Sequence, residues 1–273
     1  MISAHTKFIV IIGDPVNHSL SPSMHNACYK QLGLSEQYVY LAARTNVTDV
    51  EHVVQAMRAM DNFHGLTCTQ PHKVEVMGYL DWVDSHAVAI GAVNTVVKRD
   101  GKLKGYNTDW IGVSRSFEKH GIGLSEKRAL VLGAGGASRA VIYGLKRKGS
   151  KVTVFNRSID KARLLGEEFE CDVLTELTSS TISKFDILFN ATPLGMHPYE
   201  AESPLPQGLI QAHHVVFDAI YAPKETVFIK EALHVGATVI YGWEMLIHQG
   251  FSQFELYTGM KPPLDVMEQI LLN

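Results

Sequence analysis

Four short polar clusters fall where apolar runs end or helices begin: Ser19 with Ser21, Thr67 to Lys73, Asn94 with Thr95, and Asn107 to Asp109. In open α/β sheets, strand ends and helix starts are the places where ligands bind. Lys73 is the sharpest of the set. With Pro71 read as the first helical residue, its ammonium falls in the first turn, where the helix dipole disfavours a cation, so stability does not account for it. Spacing alone still admits a solvated lysine. Asp109 opens a helix and reads first as a cap.

A second centre of chemistry lies between Arg128 and Lys161. Ala129 to Leu132 is a short apolar run ending in Gly133-Ala134-Gly135-Gly136-Ala137-Ser138, after which helix formers continue to Lys148 and stop at Gly149. Val152 to Phe155 is a second β-branched run, so the unit reads as strand, glycine turn, helix, strand. Such a turn suits a pyrophosphate: Gly133 permits the tight bend, Gly135 lets backbone approach the phosphates, and the helix start supplies N–H donors and a positive dipole end. The third small position is Ser138 rather than Gly. An NAD site would place an acidic residue about 20 residues on to hold the ribose 2′-OH. This chain offers Asn156, Arg157, Ser158 and Lys161 instead, which suits a 2′-phosphate and therefore NADP. Ser158 also stands where it could cap the helix beginning at Ile159.

The elements that must position these groups alternate along the chain. A strand over Lys7 to Ile12 ends at Gly13-Asp14-Pro15, and Ser21 with Pro22 form an N-cap and N1 pair for a helix to about Gln31, closed by Gly33. Gln37 to Ala42 is a strand and Thr48 to Met60 a helix with Val50, Val53, Val54 and Met57 on one face. Gly65 to Gln70 is a strand running into Pro71-His72-Lys73, and Val74 to Val88 is helical with a break near Asp81 to Asp84. Asp100-Gly101 between Asn94–Lys98 and Lys102–Tyr106 is the strongest hairpin signal. After the nucleotide unit come a helix to Phe169, a short strand near Val173, strands over Phe185–Phe189, Val215–Asp218 and Thr238–Ile240, and helices over Thr226–His234, Trp243–Thr258 and Leu264–Leu272. This alternation implies an α/β protein of two lobes with a cleft between them.

Composition narrows the function. With 273 residues, 46% of them hydrophobic, the chain can build two modest cores. A net charge of −3 with scattered Lys and Arg argues against nucleic acid or an anionic membrane surface as partner. Cys28, Cys68 and Cys171 are far apart and odd in number, which fits a reducing cytoplasm better than a disulfide framework. No leader pattern or membrane-spanning run is read, and the 13 histidines show no metal-ligand spacing, so no metal is expected.

With these residues in place, the chain resembles the shikimate dehydrogenase family nearly end to end. The likeness rests on His18-Ser19-Leu20-Ser21-Pro22, Pro71-His72-Lys73, Ile90 to Thr95, Asn107-Thr108-Asp109, Gly133 to Ala137, Asn156-Arg157-Ser158, Asn190 to Met196 and Gly242 to Gln249. It implies reduction of 3-dehydroshikimate to shikimate with NADPH. It also implies a substrate domain over 1–107 and 243–273, with a Rossmann-type NADP-binding domain over 108–242 between. Carried over, Lys73 and Asp109 would be the catalytic pair, Ser19 and Ser21 would hold the substrate carboxylate, and Thr69, Asn94, Asp109 and Gln249 the ring hydroxyls. Tyr221 matches a family tyrosine lining the cleft. On the cofactor side the likeness adds Thr192 and Gly242 to Gly133, Ala134, Gly135, Gly136, Ala137, Asn156, Arg157, Ser158 and Lys161. Hydride transfer leaves negative charge on the carbonyl oxygen, and a lysine beside it can take up that charge. The partner implied is a small-molecule acid, and the chain is expected to act as a monomer or homodimer.

Three positions depart from the family pattern: Thr67 stands where most members carry Asn, Gln70 where they carry Val or Ile, and Trp110 where many carry Gly. Thr67 is the one that touches the substrate side. Its hydroxyl is shorter than an amide, so a gap filled by water and a broader acceptance of analogues are expected. Trp110 would narrow the cleft or stiffen the hinge. These changes keep open a sister dehydrogenase acting on quinate, or a silent NADP-binding sensor.

Overall fold

The computed structural model describes residues 1–272; Asn273, the end of the expected substrate domain, lies outside the described residues. In chain order the elements are β1 (Lys7–Gly13), α1 (Ser21–Gln31), β2 (Tyr38–Arg44), α2 (Val50–Ala59), β3 (Phe63–Cys68), β4 (Trp82–Val83), α3 (Ser85–Ile90), β5 (Thr95–Arg99) and β6 (Lys102–Tyr106). Next come α4 (Asp109–Lys119), β7 (Arg128–Leu132), α5 (Gly136–Arg147), β8 (Lys151–Phe155), α6 (Ile159–Phe169), β9 (Asp172–Val173), α7 (Ser179–Ile182) and β10 (Ile187–Asn190). The chain finishes with β11 (Val215–Asp218), α8 (Val227–His234), β12 (Thr238–Ile240), α9 (Gly242–Thr258) and α10 (Leu264–Leu272). It forms two compact units, one of Met1–Thr108 with Gln249–Asn273 and one of Asp109–His248. The second passage between them falls inside α9, further along than Gly242, because α9 is continuous and its two halves pack differently. Glu244 is held by Lys119 and His120 of the second unit, whereas Gln253 bonds Thr95 of the first.

The first unit is built on a six-stranded sheet of order β2-β1-β3-β5-β6-β4. β1 pairs in parallel with β2 and β3, while β3, β5 and β6 run antiparallel. The β5–β6 turn is the expected one: Asp100 and Gly101 take φ of 53° and 72°, which a two-residue hairpin turn of this hand requires. One face of the sheet buries Val50, Val54 and Met57 of α2 against Ile12, Leu66 and Val96. Two local expectations change. The stretch after Lys73 is a 3-10 helix over Glu75–Tyr79 rather than an α-helix, and the break near Asp81 contains β4, whose Trp82 and Val83 pair with Lys104 and Gly105. A two-residue edge strand has no periodicity to read, since its partner alone defines it.

The second unit carries a wholly parallel sheet of order β12-β11-β10-β7-β8-β9. That is the doubly wound dinucleotide-binding order, in which the switch point falls between β7 and β10. β7 explains why its sequence is apolar without alternation: Ala129 and Val131 face a core with Val141, Leu145 and Phe117, whereas Leu130 and Leu132 face one with Phe228 and Ile229. Both faces of the strand are covered by helices. The short α7 has no counterpart in the sequence reading, because four residues are too few for a helical period.

Candidate active site

In the first unit, the helix α9 lays a stripe of polar side chains across the sheet. Gln249, Gln253 and Tyr257 recur every four residues and so share one helix face. Gln249 Oε1 accepts from Thr108 Oγ1 at 3.3 Å and from Asn94 Nδ2 at 3.4 Å. Gln253 Nε2 donates to Thr95 Oγ1 at 3.0 Å, and Tyr257 Oη lies 2.7 Å from Thr67 Oγ1. Thr95 is the cross-strand partner of Thr67, so the stripe follows the pairing of β5 with β3. Asn94 is the hub. Its Oδ1 accepts from Thr108 N at 2.9 Å and Thr95 Oγ1 at 2.7 Å, while its amide also donates to Thr108 Oγ1 at 2.9 Å. Asn94 and Gln249 are thus brought together as expected, and both are buried.

Ser19 and Ser21 lie at the start of α1, with Ser19 Oγ accepting from Ser21 N at 3.4 Å. Ser21 is not the cap. Leu20 holds that position in a helical conformation, and its carbonyl already accepts from Met24 N at 3.0 Å, so Ser21 sits inside the first turn and its hydroxyl is not needed for capping. Lys73 lies on the turn between β3 and the 3-10 helix, and no α-helical first turn surrounds it. A helix dipole therefore does not act on this lysine. Its place is fixed instead by the backbone: Val93 N donates to Lys73 O at 2.7 Å, and the adjoining His72 is fully buried with Nε2 2.9 Å from Thr45 O. Thr69 is half-buried, its N–H donating to Ile12 O at 2.9 Å. Its methyl occupies the space a Cβ on Gly13 would need, 2.4 Å away.

Thr67 departs from what its length suggested. Tyr40 Oη donates to its hydroxyl at 2.5 Å and Tyr257 Oη lies 2.7 Å from it, so two phenols reach the oxygen of the shorter side chain. Neither tyrosine was singled out from the sequence. For Tyr257 a signal existed in the four-residue spacing from Gln249, which reads as one helix face. For Tyr40 none existed.

In the second unit, Asp109 is buried and opens α4 as its first helical residue, where the dipole favours a carboxylate. Trp110 packs on α5: its ring meets Tyr143 edge-on at 5.7 Å and lies under the Arg147 guanidinium at 5.6 Å, with Gly144 leaving room for its backbone. The tryptophan is thereby explained as packing within this unit. Tyr221 is half-buried, and burial pushes its phenol up to about 12, so it stays protonated near neutrality.

The glycine turn has the form a pyrophosphate needs. Gly133 has φ of +115°, and a Cβ on it would stand 3.0 Å from Ala191 O, so the β7 and β10 ends can meet only at glycine. A Cβ on Gly135 would meet nothing within 4 Å, which leaves its backbone open to an approaching ligand. Ser138 takes the third small position for a reason: it is buried, and its Oγ accepts from Gly135 N at 3.2 Å, closing the turn. Ala134, Gly136 and Ala137 complete the turn and the first residues of α5. At the end of β8, Asn156 Nδ2 donates to Ser158 O at 3.0 Å, and Arg157, Ser158 and Lys161 are exposed. Ser158 occupies the cap of α6 without a capping bond, which leaves its hydroxyl for a ligand. Thr192 is tied to Asn190 Oδ1 through both N and Oγ1 at 3.0 and 2.7 Å. Gly242 is required by packing, since a Cβ there would lie 2.4 Å from Ile220 O. Behind these ends lies a buried network that the sequence did not announce: Asp218 accepts from Asn190 Nδ2, Ile220 N and Thr226 Oγ1 at 3.0, 3.0 and 2.6 Å. The residues present fit a dinucleotide with a 2′-phosphate. Among the described residues no group of side chains could hold a metal, and no helix is long and apolar enough to cross a membrane.

Comparison with known proteins bears on both units. Residues 11–96 match the substrate-binding domain of shikimate dehydrogenase, residues 115–201 the shikimate/quinate 5-dehydrogenase family and residues 242–272 the C-terminal domain of shikimate 5′-dehydrogenase. The chain is 43% identical over 278 residues to a protein of Methanococcus maripaludis named shikimate dehydrogenase (NADP(+)), covering 99% of this chain and 98% of the relative. Among solved structures it is similar to a shikimate dehydrogenase in complex with NADP+, at a TM-score of 0.92 and 39% identity over 100% of this chain and 96% of that one. It is likewise similar to the Thermus thermophilus shikimate 5-dehydrogenase in complex with NADP(H) and shikimate, at a TM-score of 0.90 and 37% identity, covering 98% of this chain and 99% of that one.

Proposed function

The chain belongs to the shikimate dehydrogenase family, and from that footing we propose how its own residues carry the reaction. The activity is that of an NADP-dependent oxidoreductase reducing 3-dehydroshikimate to shikimate, a step toward chorismate and the aromatic amino acids. The observation that carries it is the end-to-end likeness, over both units, to enzymes so named. A quinate dehydrogenase or a silent sensor is not favoured, and retention of both Lys73 and Asp109 speaks against the latter.

NADPH, when bound, supplies the hydride. Gly133 to Ala137 would take its pyrophosphate, with donors from the start of α5, and Asn156, Arg157, Ser158 and Lys161 its ribose phosphate. Thr192 and Gly242 would shape the rest of that site. On the substrate side Ser19 and Ser21 would hold the carboxylate, with Tyr221 contributing a neutral phenol. Thr69, Asn94 and Gln249 would hold the ring hydroxyls. Thr67 belongs to the same side of the site through the hydroxyls it gathers. As the carbonyl oxygen gains charge, Lys73 would hand it a proton or hold the charge by hydrogen bonding, and Asp109 would orient the lysine and the adjacent hydroxyl.

The domain assignment follows the same reading: a substrate unit at both ends of the chain and an NADP unit between. Cys28 and Cys68 are buried free thiols, which supports a reducing, cytoplasmic setting, and we take the working form to be a monomer or homodimer. The test is NADP+-dependent oxidation of shikimate set against quinate. Turnover of quinate in preference to shikimate would overturn the assignment.

A further inference from the structure

Tyr40, Thr67 and Tyr257 come from β2, β3 and α9 of one unit, and their hydroxyls form a buried chain. Tyr40 Oη donates to Thr67 Oγ1 at 2.5 Å, and Thr67 Oγ1 lies 2.7 Å from Tyr257 Oη. The three residues are 1%, 5% and 2% exposed. Each hydroxyl carries one proton, and two bonds join the three, so one proton is left to give. Because Tyr40 spends its proton on Thr67, the remaining one belongs to Thr67 or Tyr257. Burial pushes both phenols above their ordinary range, so the array stays a neutral donor through the physiological range. A donor held out of water without an acceptor is costly, and a ligand oxygen relieves that cost.

The surroundings fix the backbone and the rings that carry these hydroxyls. Asn26 brackets the Tyr40 backbone, donating to its carbonyl at 2.7 Å and accepting from its N–H at 2.9 Å, and His25 stacks on the Tyr40 ring at 4.5 Å. His64 Nε2 lies 2.7 Å from Tyr257 O, and Gly65 makes room beneath the Tyr257 ring. The array also has neighbours with assigned roles. Ser21, given to the substrate carboxylate above, has its hydroxyl beside the Tyr40 phenol, and the α9 stripe that ends in Tyr257 begins with Gln249.

We propose that Tyr40 and Tyr257, assembled on Thr67, are specificity-determining residues whose unspent hydroxyl proton is donated to the ring acid, in place of the donor that an Asn amide would bring at this position. The proposal rests on the shikimate dehydrogenase reading. It explains why the shorter Thr67 is accompanied by two phenols that reach its hydroxyl: the donor lost with the amide is restored by side chains from neighbouring elements.

The test is steady-state oxidation of shikimate by the native chain, Tyr40→Phe, Tyr257→Phe, Thr67→Asn and the double variant Thr67→Asn/Tyr257→Phe, with the NADP+ KM measured alongside. Turnover by the native chain establishes the reading on which the proposal rests, and its absence would remove that reading whatever the variants do. Tyr257→Phe should raise the shikimate KM by roughly tenfold, as loss of one hydrogen bond in a buried site does, with the NADP+ KM unchanged and kcat carrying little of the loss. Tyr40→Phe should act in the same direction. The double variant should recover most of the KM, because Asn brings its own donor and the missing phenol oxygen gives it room, whereas Thr67→Asn alone is crowded by both phenols. An unchanged shikimate KM in both Phe variants, or a double variant no better than Tyr257→Phe, would overturn the proposal. A merely structural role would lower Tm without moving KM and would show no such rescue.

Discussion

Gly65 faces the ring of Tyr257 so closely that a Cβ on it would lie 2.5 Å from Tyr257 Cε1, with Ile9 Cγ1 behind it at 3.1 Å. A glycine inside a strand is ordinarily a weakness, and here it is the condition for α9 to lay Tyr257 against β3. Gly65→Ala should therefore destabilise the fold by about 1–3 kcal/mol, the usual cost of overpacking a filled core. Chemical denaturation checks this, and an unchanged midpoint would show that the tyrosine can move aside.

Arg157 and Lys161 are exposed at the end of β8 and the start of α6, with no ion pair to either among the described residues. The native chain should prefer NADPH to NADH by roughly tenfold or more, each decade being about 1.4 kcal/mol. Arg157→Ala should shrink that ratio and leave the shikimate KM alone. Titration of both nucleotides decides it, and equal affinities in the native chain would contradict the 2′-phosphate reading.

Lys73→Ala should lower kcat by about two orders of magnitude or more, the range of general acid catalysis, with the shikimate KM changing little. The backbone bond from Val93 N to Lys73 O does not involve the side chain, so the turn should survive the substitution. Were the whole loss to appear in KM, the lysine would be a binding residue only.

His25 is fully buried, and desolvation, outweighing nearby Gln253, pushes its imidazole down to about 3. The unfolded chain takes up a proton near its ordinary value of about 6.5, while the folded chain refuses it until far lower. The stability this residue allows is thus present above about pH 6.5 and lost as pH falls toward 3, where the folded form begins to take the proton. Between pH 7 and pH 5 the native chain should lose about 2 kcal/mol relative to His25→Phe, which cannot titrate and keeps a ring against Tyr40. Denaturant unfolding of both proteins at the two pH values measures the difference. A gap that does not change with pH would mean that His25 takes up its proton in the folded state at the same pH as in the unfolded chain.

What the sequence determined by itself is what adjacent residues can dictate. The run from Ala129 to Phe155 announces strand, glycine turn, helix and strand because those constraints act within a few residues of one another, and Gly133 does take the positive φ that its type permits. The Asp100-Gly101 hairpin is legible for the same reason, as is the pairing of Asn156, Arg157 and Ser158 with a helix start. Local signals misled at two places: Leu20 rather than Ser21 holds the N-cap position of α1, and Lys73 sits on a turn tied to Val93 rather than in a helix. The tertiary structure alone decided which distant side chains share a site. Tyr40 and Tyr257 are 217 positions apart in sequence and meet on one hydroxyl of Thr67, because parallel pairing sets β2 beside β1 and β1 beside β3, and α9 returns over that sheet. No local preference encodes such a meeting. It follows from strand order, from register, and from the space that Gly65 leaves open, quantities fixed only when the whole chain has packed.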